Sequence, residues 1–335
     1  MERAQMSGRR WSAALVAAVL GFVLAPPSAR GASTRVVVEA DHALERTQGD
    51  LLGVGWNTGD IELVAPLRPP IVRIDSRLES SVPAPGVFAL DTVLDKVSRV
   101  RRAGGEPLVI LFAMPAWLGE ARAATCAPNP IFFPDGCDPT LVAPSDFVAW
   151  EEVIAEVVRR LATAPEPAYR FEVWNEPDIG VFWHDTQEAF LATAAATHRA
   201  VRAVADETGL PIEIGGPGAF SPSAVAPYVG AIVRAGLPLH FVSWHWYANS
   251  PFLGPDGAEG NIDPVLYEAL RGINPDMTPS IYGAQTRQVR SDIAPLLAGT
   301  GLDPPLLIDE WNVSAGGLDL RHDSNEGAAF AACAR

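Results

Sequence analysis

Apolar runs of strand length alternate with stretches of helical periodicity along most of this chain. The runs cover 51–56, 71–75, 107–113, 169–174, 211–215, 239–246 and 305–310. Between them, apolar positions recur every three or four residues over 90–102, 145–162, 186–208, 222–235 and 285–297. In 145–162, Phe147, Trp150, Val153, Ile154, Val157, Val158 and Leu161 form one stripe behind Ser145 as the expected N-cap. Near-continuous apolar strands separated by helices predict a parallel sheet covered on both faces. Seven such units in series, with polar residues gathering at the strand ends, predict an α/β fold of the TIM type, a (β/α)8 barrel. A dinucleotide fold has no support, since no Gly-x-Gly-x-x-Gly opens a helix.

The count stops at seven. Only 24 residues follow Trp311, too few for another helix, an eighth strand and its helix, so the barrel reads as truncated after strand seven. The stretch 249–287, rich in Gly, Pro, Asp and Asn, is expected as a long loop overhanging the strand ends.

Residues 1–30 carry the marks of a secretory signal peptide, which leaves 31–335 as the barrel. Arg3, Arg9 and Arg10 precede an apolar stretch over 11–25, and small residues around 29–32 suit cleavage. Fifteen apolar residues fall short of the roughly 20 that a membrane-spanning helix needs. The expected protein is therefore secreted or periplasmic, with no stable membrane insertion once the leader is removed. Export also changes the reading of Cys126 and Cys137, which lie in one proline-rich loop and are expected to close a disulfide in an oxidising compartment.

The formal net charge is −15, which argues against nucleic acid as a partner, because phosphate backbones call for basic patches. No histidine stands at zinc-ligand spacing from the cysteine pair. Neither a metal nor an organic cofactor is expected, and the sequence specifies no oligomeric state.

Two strings carry the chemistry: Phe171-Glu-Val-Trp-Asn-Glu-Pro177 and Leu306-Leu-Ile-Asp-Glu-Trp-Asn312. Each is an apolar run ending in a glutamate beside tryptophan and asparagine. A carboxylate where a buried strand emerges is costly without a task or a partner. Two in similar aromatic settings suggest carboxyl groups converging on one substrate, as glycosidic-bond cleavage requires. Strand alternation sends Glu172, Glu176 and Glu310 inward and Asp309 outward. Glu172 lies deep and needs a buried partner, for which Arg73 is the nearest candidate. Asp75 either meets substrate hydroxyls or pairs with Arg73 or Arg77.

Val173-Trp-Asn-Glu-Pro177 with Phe182-Trp183, Ile214-Gly-Gly-Pro217, Ser243-Trp-His-Trp-Tyr247 and Ile308-Asp-Glu-Trp-Asn312 resemble glycoside hydrolase family 39. Met114-Pro-Ala-Trp117 also fits, and the likeness runs from about Leu51 onward. That family belongs to a barrel clan of retaining glycosidases and includes β-xylosidases and α-L-iduronidases. The departure is the absence of the family's eighth strand and accessory β-rich domain.

The resemblance implies an oligo- or polysaccharide substrate, with Glu176 as general acid/base and Glu310 as nucleophile. Asn175 would bind the hydroxyl beside the reacting carbon, and Tyr247 and Arg73 would steady Glu310. His245 is expected as a hydrogen-bonding residue beside the site. Trp117, Trp183 and Trp311 are expected as platforms for sugar rings, with Trp56, Trp244 and Trp246 as further candidates. Two alternatives stand next to this one: a related clan member acting on glucosyl, galactosyl or internal polysaccharide linkages, and a non-catalytic carbohydrate-binding barrel.

Overall fold

The computed structural model describes residues 54–56, 61, 69–129, 132–249 and 277–314, with the backbone alone at 54–56, 246–249, 277–285 and 311–314. The expected signal peptide and residues 250–276 of the expected loop lie outside the described residues; from Met277 on, that stretch is helical instead of a loop. Seven strands form one sheet: β1 (Val54–Trp56), β2 (Ile71–Asp75), β3 (Glu106–Leu111), β4 (Arg170–Val173), β5 (Glu213–Ala219), β6 (Phe241–Asn249) and β7 (Leu306–Ser314). Each strand pairs in parallel with the next in sequence, so the order is β1 to β7 without a crossover. The sheet curls until β7 returns to within 8 Å of β1, Cα to Cα.

Helices separate the strands, as the periodicity predicts. They are α1 (Leu78–Ser81), α2 (Asp91–Arg102), α3 (Ala116–Ala123), α4 (Phe147–Ala162), α5 (Gln187–Thr208), α6 (Val225–Arg234) and α7 (Met277–Leu297). In α2 the buried residues are Val93, Val97 and Val100, spaced four and three apart on the face turned to the sheet. Burying each contributes about 1.5–3 kcal/mol. The N-cap of α4 is Asp146, one residue later than the expected Ser145; its carboxylate accepts from the amides of Val148 and Ala149. Thr186 caps α5 by accepting from Ala189, and Gly209 ends it at φ 66°, where a β-carbon would be strained. None of the helices among the described residues is long and apolar enough to cross a membrane.

Between sheet and helices, β3 is buried throughout from Pro107 to Leu111, the mark of a strand covered on both sides. An aromatic cluster fills the space above β4. Trp174 stands edge-on to Phe112 (5.3 Å) and to Trp183 (5.0 Å), and Trp183 edge-on to Phe190 (5.6 Å).

Two register shifts interrupt the regular pairing near the carboxyl ends of the strands. Between β5 and β6 the pairing slips after Gly216, across Pro217 and Gly218. Between β6 and β7, Trp244 pairs with Ile308 but His245 pairs with Glu310. One residue of β6 therefore opposes two of β7, and the bulge falls at Asp309.

Candidate active site

The carboxyl ends of β2, β4, β6 and β7 bring their polar side chains together around Arg73 of β2. Its guanidinium is almost entirely buried and divides its hydrogens three ways. Nε donates to Glu172 Oε2 at 2.6 Å, Nη1 donates to Glu310 Oε1, and Nη2 donates to Asn175 Oδ1 at 3.0 Å. This fork is what arginine offers and lysine does not. Burial works against the charge of Arg73, but its carboxylate neighbours, Glu172 first, outweigh it and raise the guanidinium above its already high ordinary value.

Glu172 is wholly buried on β4, as its inward position predicts, and Arg73 is its partner. Its other oxygen accepts from the Ser243 hydroxyl of β6 at 2.5 Å, and Ser243 in turn accepts from the Gly218 amide at 3.0 Å. Burial opposes ionisation of Glu172; the charge of Arg73, with the hydrogen bond from Ser243, overcomes it and holds the group below its ordinary value. Gly218 has φ 55°, and a β-carbon there would come within 3.1 Å of Arg73 Nη2. Glycine lets the β5 backbone lie against the ion pair.

Glu176 follows β4 in a turn of unusual backbone. Trp174 has φ 65° and Glu176 φ 46°, both in the left-handed region without being glycine. The Trp174 amide donates to Leu111 O at 3.1 Å and the Glu176 amide to Gly218 O at 2.8 Å, which pins the turn to its neighbours. The Glu176 carboxylate lies 2.7 Å from Nδ1 of the buried His245, and the same nitrogen is 3.5 Å from Glu310 Oε2. One ligating atom from each of Glu176, His245 and Glu310 lies within 4.8 Å of the other two. Three such groups could crowd a cation, but here Glu176 and His245 are bonded to each other instead of standing open around a common centre.

Asp309 overturns one expectation. Regular alternation would turn it outward, but the β7 bulge sends it inward beside Glu310. Its side chain is 5% exposed, with Oδ2 3.1 Å from Arg73 Nε and Oδ1 3.7 Å from His245 Nε2. Burial, and then the charge of Glu172, push its carboxyl well above the ordinary range. Sequence reasoning missed Ser243 and Asp309 as site residues. The Asp-Glu pair at a strand end was the available signal for Asp309, but only the bulge makes both side chains inward.

The tryptophans divide. Trp183 is not a sugar platform: it is 4% exposed, its indole N–H donates to Thr186 O at 3.0 Å, and its faces are covered by the aromatic cluster. Trp244 is likewise fully buried. Trp117 on α3 is half-buried, and its indole donates to Val82 O at 3.1 Å. The side chains of Trp56, Trp246, Tyr247 and Trp311 lie outside the described residues. Asp75 accepts from the Arg77 amide at 3.0 Å.

Cys126 and Cys137 are joined by a disulfide, with Cα atoms 6.1 Å apart. The loop they close lies against the one that follows Glu176. Phe133 stacks on His184 at 3.8 Å between centroids, the Asp138 amide donates to His184 Nδ1, and Arg122 forms a two-pronged pair with Asp185.

Fold and site together define a class, a parallel α/β barrel-type protein with two carboxylates facing each other at the strand ends. A model of the glycosyl hydrolases family 39 matches residues 86–332, and the chain belongs to that family. It is 23% identical over 248 residues to a β-xylosidase of Caldicellulosiruptor saccharolyticus, covering 72% of this chain and 44% of that protein. It is 25% identical over 196 residues to a β-xylosidase of Geobacillus stearothermophilus, covering 56% and 36%. Among solved structures, a monomeric β-xylosidase from Caulobacter crescentus CB15 superposes with TM-score 0.59 at 22% identity, over 83% of this chain and 55% of that one. A family 39 enzyme from Xanthomonas axonopodis pv. citri gives 0.57, also at 22%, over 84% and 54%. These likenesses are of fold, and the chain spans about half the length of these relatives or less.

Proposed function

We propose that this chain carries the catalytic barrel of a retaining glycoside hydrolase acting on β-xyloside-like substrates from a chain end. In this reading the curled sheet is seven strands of a (β/α)8 barrel. The observation that supports it best is the facing pair, with Glu176 and Glu310 oxygens within 4.8 Å. Retaining enzymes hold their carboxyl groups about 5–5.5 Å apart, whereas inverting ones leave about 6.5–9.5 Å for a water.

The two carboxyls sit in different company, which suits different tasks. Glu310 is bound by Arg73, a permanent cation that favours the charged form needed in a nucleophile. Glu176 is buried against His245, with no arginine contact among the described residues, and in this reading carries the proton. Glu310 attacks the anomeric carbon as Glu176 protonates the departing oxygen. Water then loses its proton to Glu176 and bonds to the same carbon, releasing Glu310 as a carboxylate. With Oδ1 engaged by Arg73, the Asn175 amide nitrogen is left to donate to the neighbouring sugar hydroxyl. The disulfide supports an exported protein, and the xyloside preference rests on the β-xylosidases this chain is similar to.

The two glutamates should fail differently. Glu310→Ala abolishes hydrolysis of every substrate, and added azide restores a product of inverted configuration. Glu176→Ala still forms the glycosyl-enzyme from nitrophenyl glycosides but stalls, and azide releases a product of retained configuration. If both variants respond alike to leaving group and azide, the assigned roles are wrong.

A further inference from the structure

Asp309 has no task in the two-glutamate mechanism, yet it sits at the centre of the site. The charged and titratable groups facing it are Arg73 from β2, Glu172 from β4, His245 from β6 and Glu310 on its own strand. As a carboxylate it would be stranded. Arg73 Nε lies 3.1 Å from Oδ2, but that nitrogen carries one hydrogen, and it is directed to Glu172 at 2.6 Å. The other guanidinium nitrogens serve Glu310 and Asn175. Among the described residues neither oxygen of Asp309 accepts a hydrogen bond, a costly state for a buried anion. As a carboxylic acid it has a hydrogen of its own to give, and Glu172 is a neighbouring buried acceptor, since its Oε2 lies on the same Arg73 Nε as Asp309 Oδ2.

Charge balance points the same way. With Glu176 protonated, Arg73 faces the two anions Glu172 and Glu310. An ionised Asp309 would place a third negative charge against the Arg73 guanidinium.

We propose that Asp309 is a positioning residue of this site, a neutral carboxylic acid that donates to Glu172 and leaves the charge of Arg73 to Glu172 and Glu310. The proposal rests on the glycosidase reading for the roles of Glu176 and Glu310, and deepens it. Glu172, held by Ser243, Arg73 and the Asp309 proton, fixes the guanidinium from the inner side, so Nη1 is presented to the nucleophile. Burial and the Glu172 charge shift the Asp309 carboxyl in the direction this requires.

Infrared spectroscopy of the full chain tests this without turnover. The protein carries Glu176→Gln, which removes the other proton-bearing carboxyl, and is measured at about pH 8, where ordinary carboxyls are ionised. The expected spectrum keeps the carbonyl band of a protonated carboxylic acid. That band moves when the aspartate carboxyls are isotope-labelled, and Asp309→Asn in the same background removes it. Absence of the band, or a band indifferent to aspartate labelling, overturns the proposal with no change at position 309. The pH profile on an activated aryl glycoside gives a second reading. Asp309→Asn exchanges a neutral acid for a neutral amide and leaves both limbs in place. A limb displaced by about one pH unit or more means that a charge was removed beside the glutamates, and also overturns it. A wild-type chain without turnover would fail the glycosidase reading and leave the infrared result intact.

Discussion

The buried His198 makes one part of the acid stability of this protein depend on a single proton. It lies on α5 with no exposed surface. Nδ1 is 2.7 Å from Pro238 O and must carry the hydrogen, since a carbonyl only accepts; Nε2 then accepts from the Tyr228 hydroxyl of α6 at 2.6 Å. The ring is thus held neutral. Burial drives its pKa from 6.5 to about 3, with His240 acting in the same direction and the bond to Pro238 opposing. In the unfolded chain the ring gains its proton below about 6.5. The depressed folded value means that stability is complete above this pH and is lost as pH falls from 6.5 toward 3. At about 1.4 kcal/mol per pH unit, the whole interval amounts to about 5 kcal/mol. His198→Gln supplies a donor and an acceptor of similar reach but cannot titrate. Urea unfolding, followed by tryptophan fluorescence in steps from about pH 7 to about pH 4.5, should show wild type losing about 2.7 kcal/mol more than the variant. The variant is expected to start about 1–2 kcal/mol lower from imperfect hydrogen bonding and packing, so the two curves cross. Parallel curves would mean that His198 is not held neutral, and the reasoning would fail.

Three other outcomes are expected from the geometry. Reducing the Cys126–Cys137 bridge, which closes a short loop with a sequence separation of 11, should cost about 3 kcal/mol, read as a lower urea midpoint under dithiothreitol; an unchanged midpoint would show that the loop is already rigid without it. Trp183→Ala should cost about 3–5 kcal/mol of stability with KM for an aryl glycoside little altered, whereas a raised KM at full stability would restore the sugar-platform role. Arg73→Lys keeps the charge but loses the fork that holds Glu172, Glu310 and Asn175 at once, so kcat/KM should fall by about 100- to 1000-fold; a loss below tenfold would show that charge alone suffices.

Much of this was legible in the sequence, because parallel strands buried on both sides advertise themselves as apolar runs. β2 runs over the residues expected, and β4 lies within its expected run. Alternation along β4 sent Glu172 inward, and the need of a buried charge for a partner pointed to Arg73. What escaped was local departure from regularity. The bulge that turns Asp309 inward is a property of the β6–β7 pairing and leaves no trace in β7 alone. The short helices α1 and α3 offer too few turns to build a periodic pattern. Trp183 was misplaced because following a strand end in sequence does not fix which way an indole turns; Phe112, Trp174 and Phe190 draw it into the core.

The left-handed turn at the end of β4 has a consequence for the order in which the molecule matures. Residues such as Trp174 and Glu176 at positive φ each cost about 1–3 kcal/mol and persist only where their surroundings over-determine them. Those surroundings are Leu111 O on β3 and Gly218 O on β5, segments far apart in the chain that must both be docked before the turn is stable. A partly folded intermediate in which β3 and β4 had paired but β5 had not would possess native-like strands while leaving Glu176 unplaced. A ligand that requires Glu176 in position would therefore report the docking of β5 and not the pairing of β3 with β4.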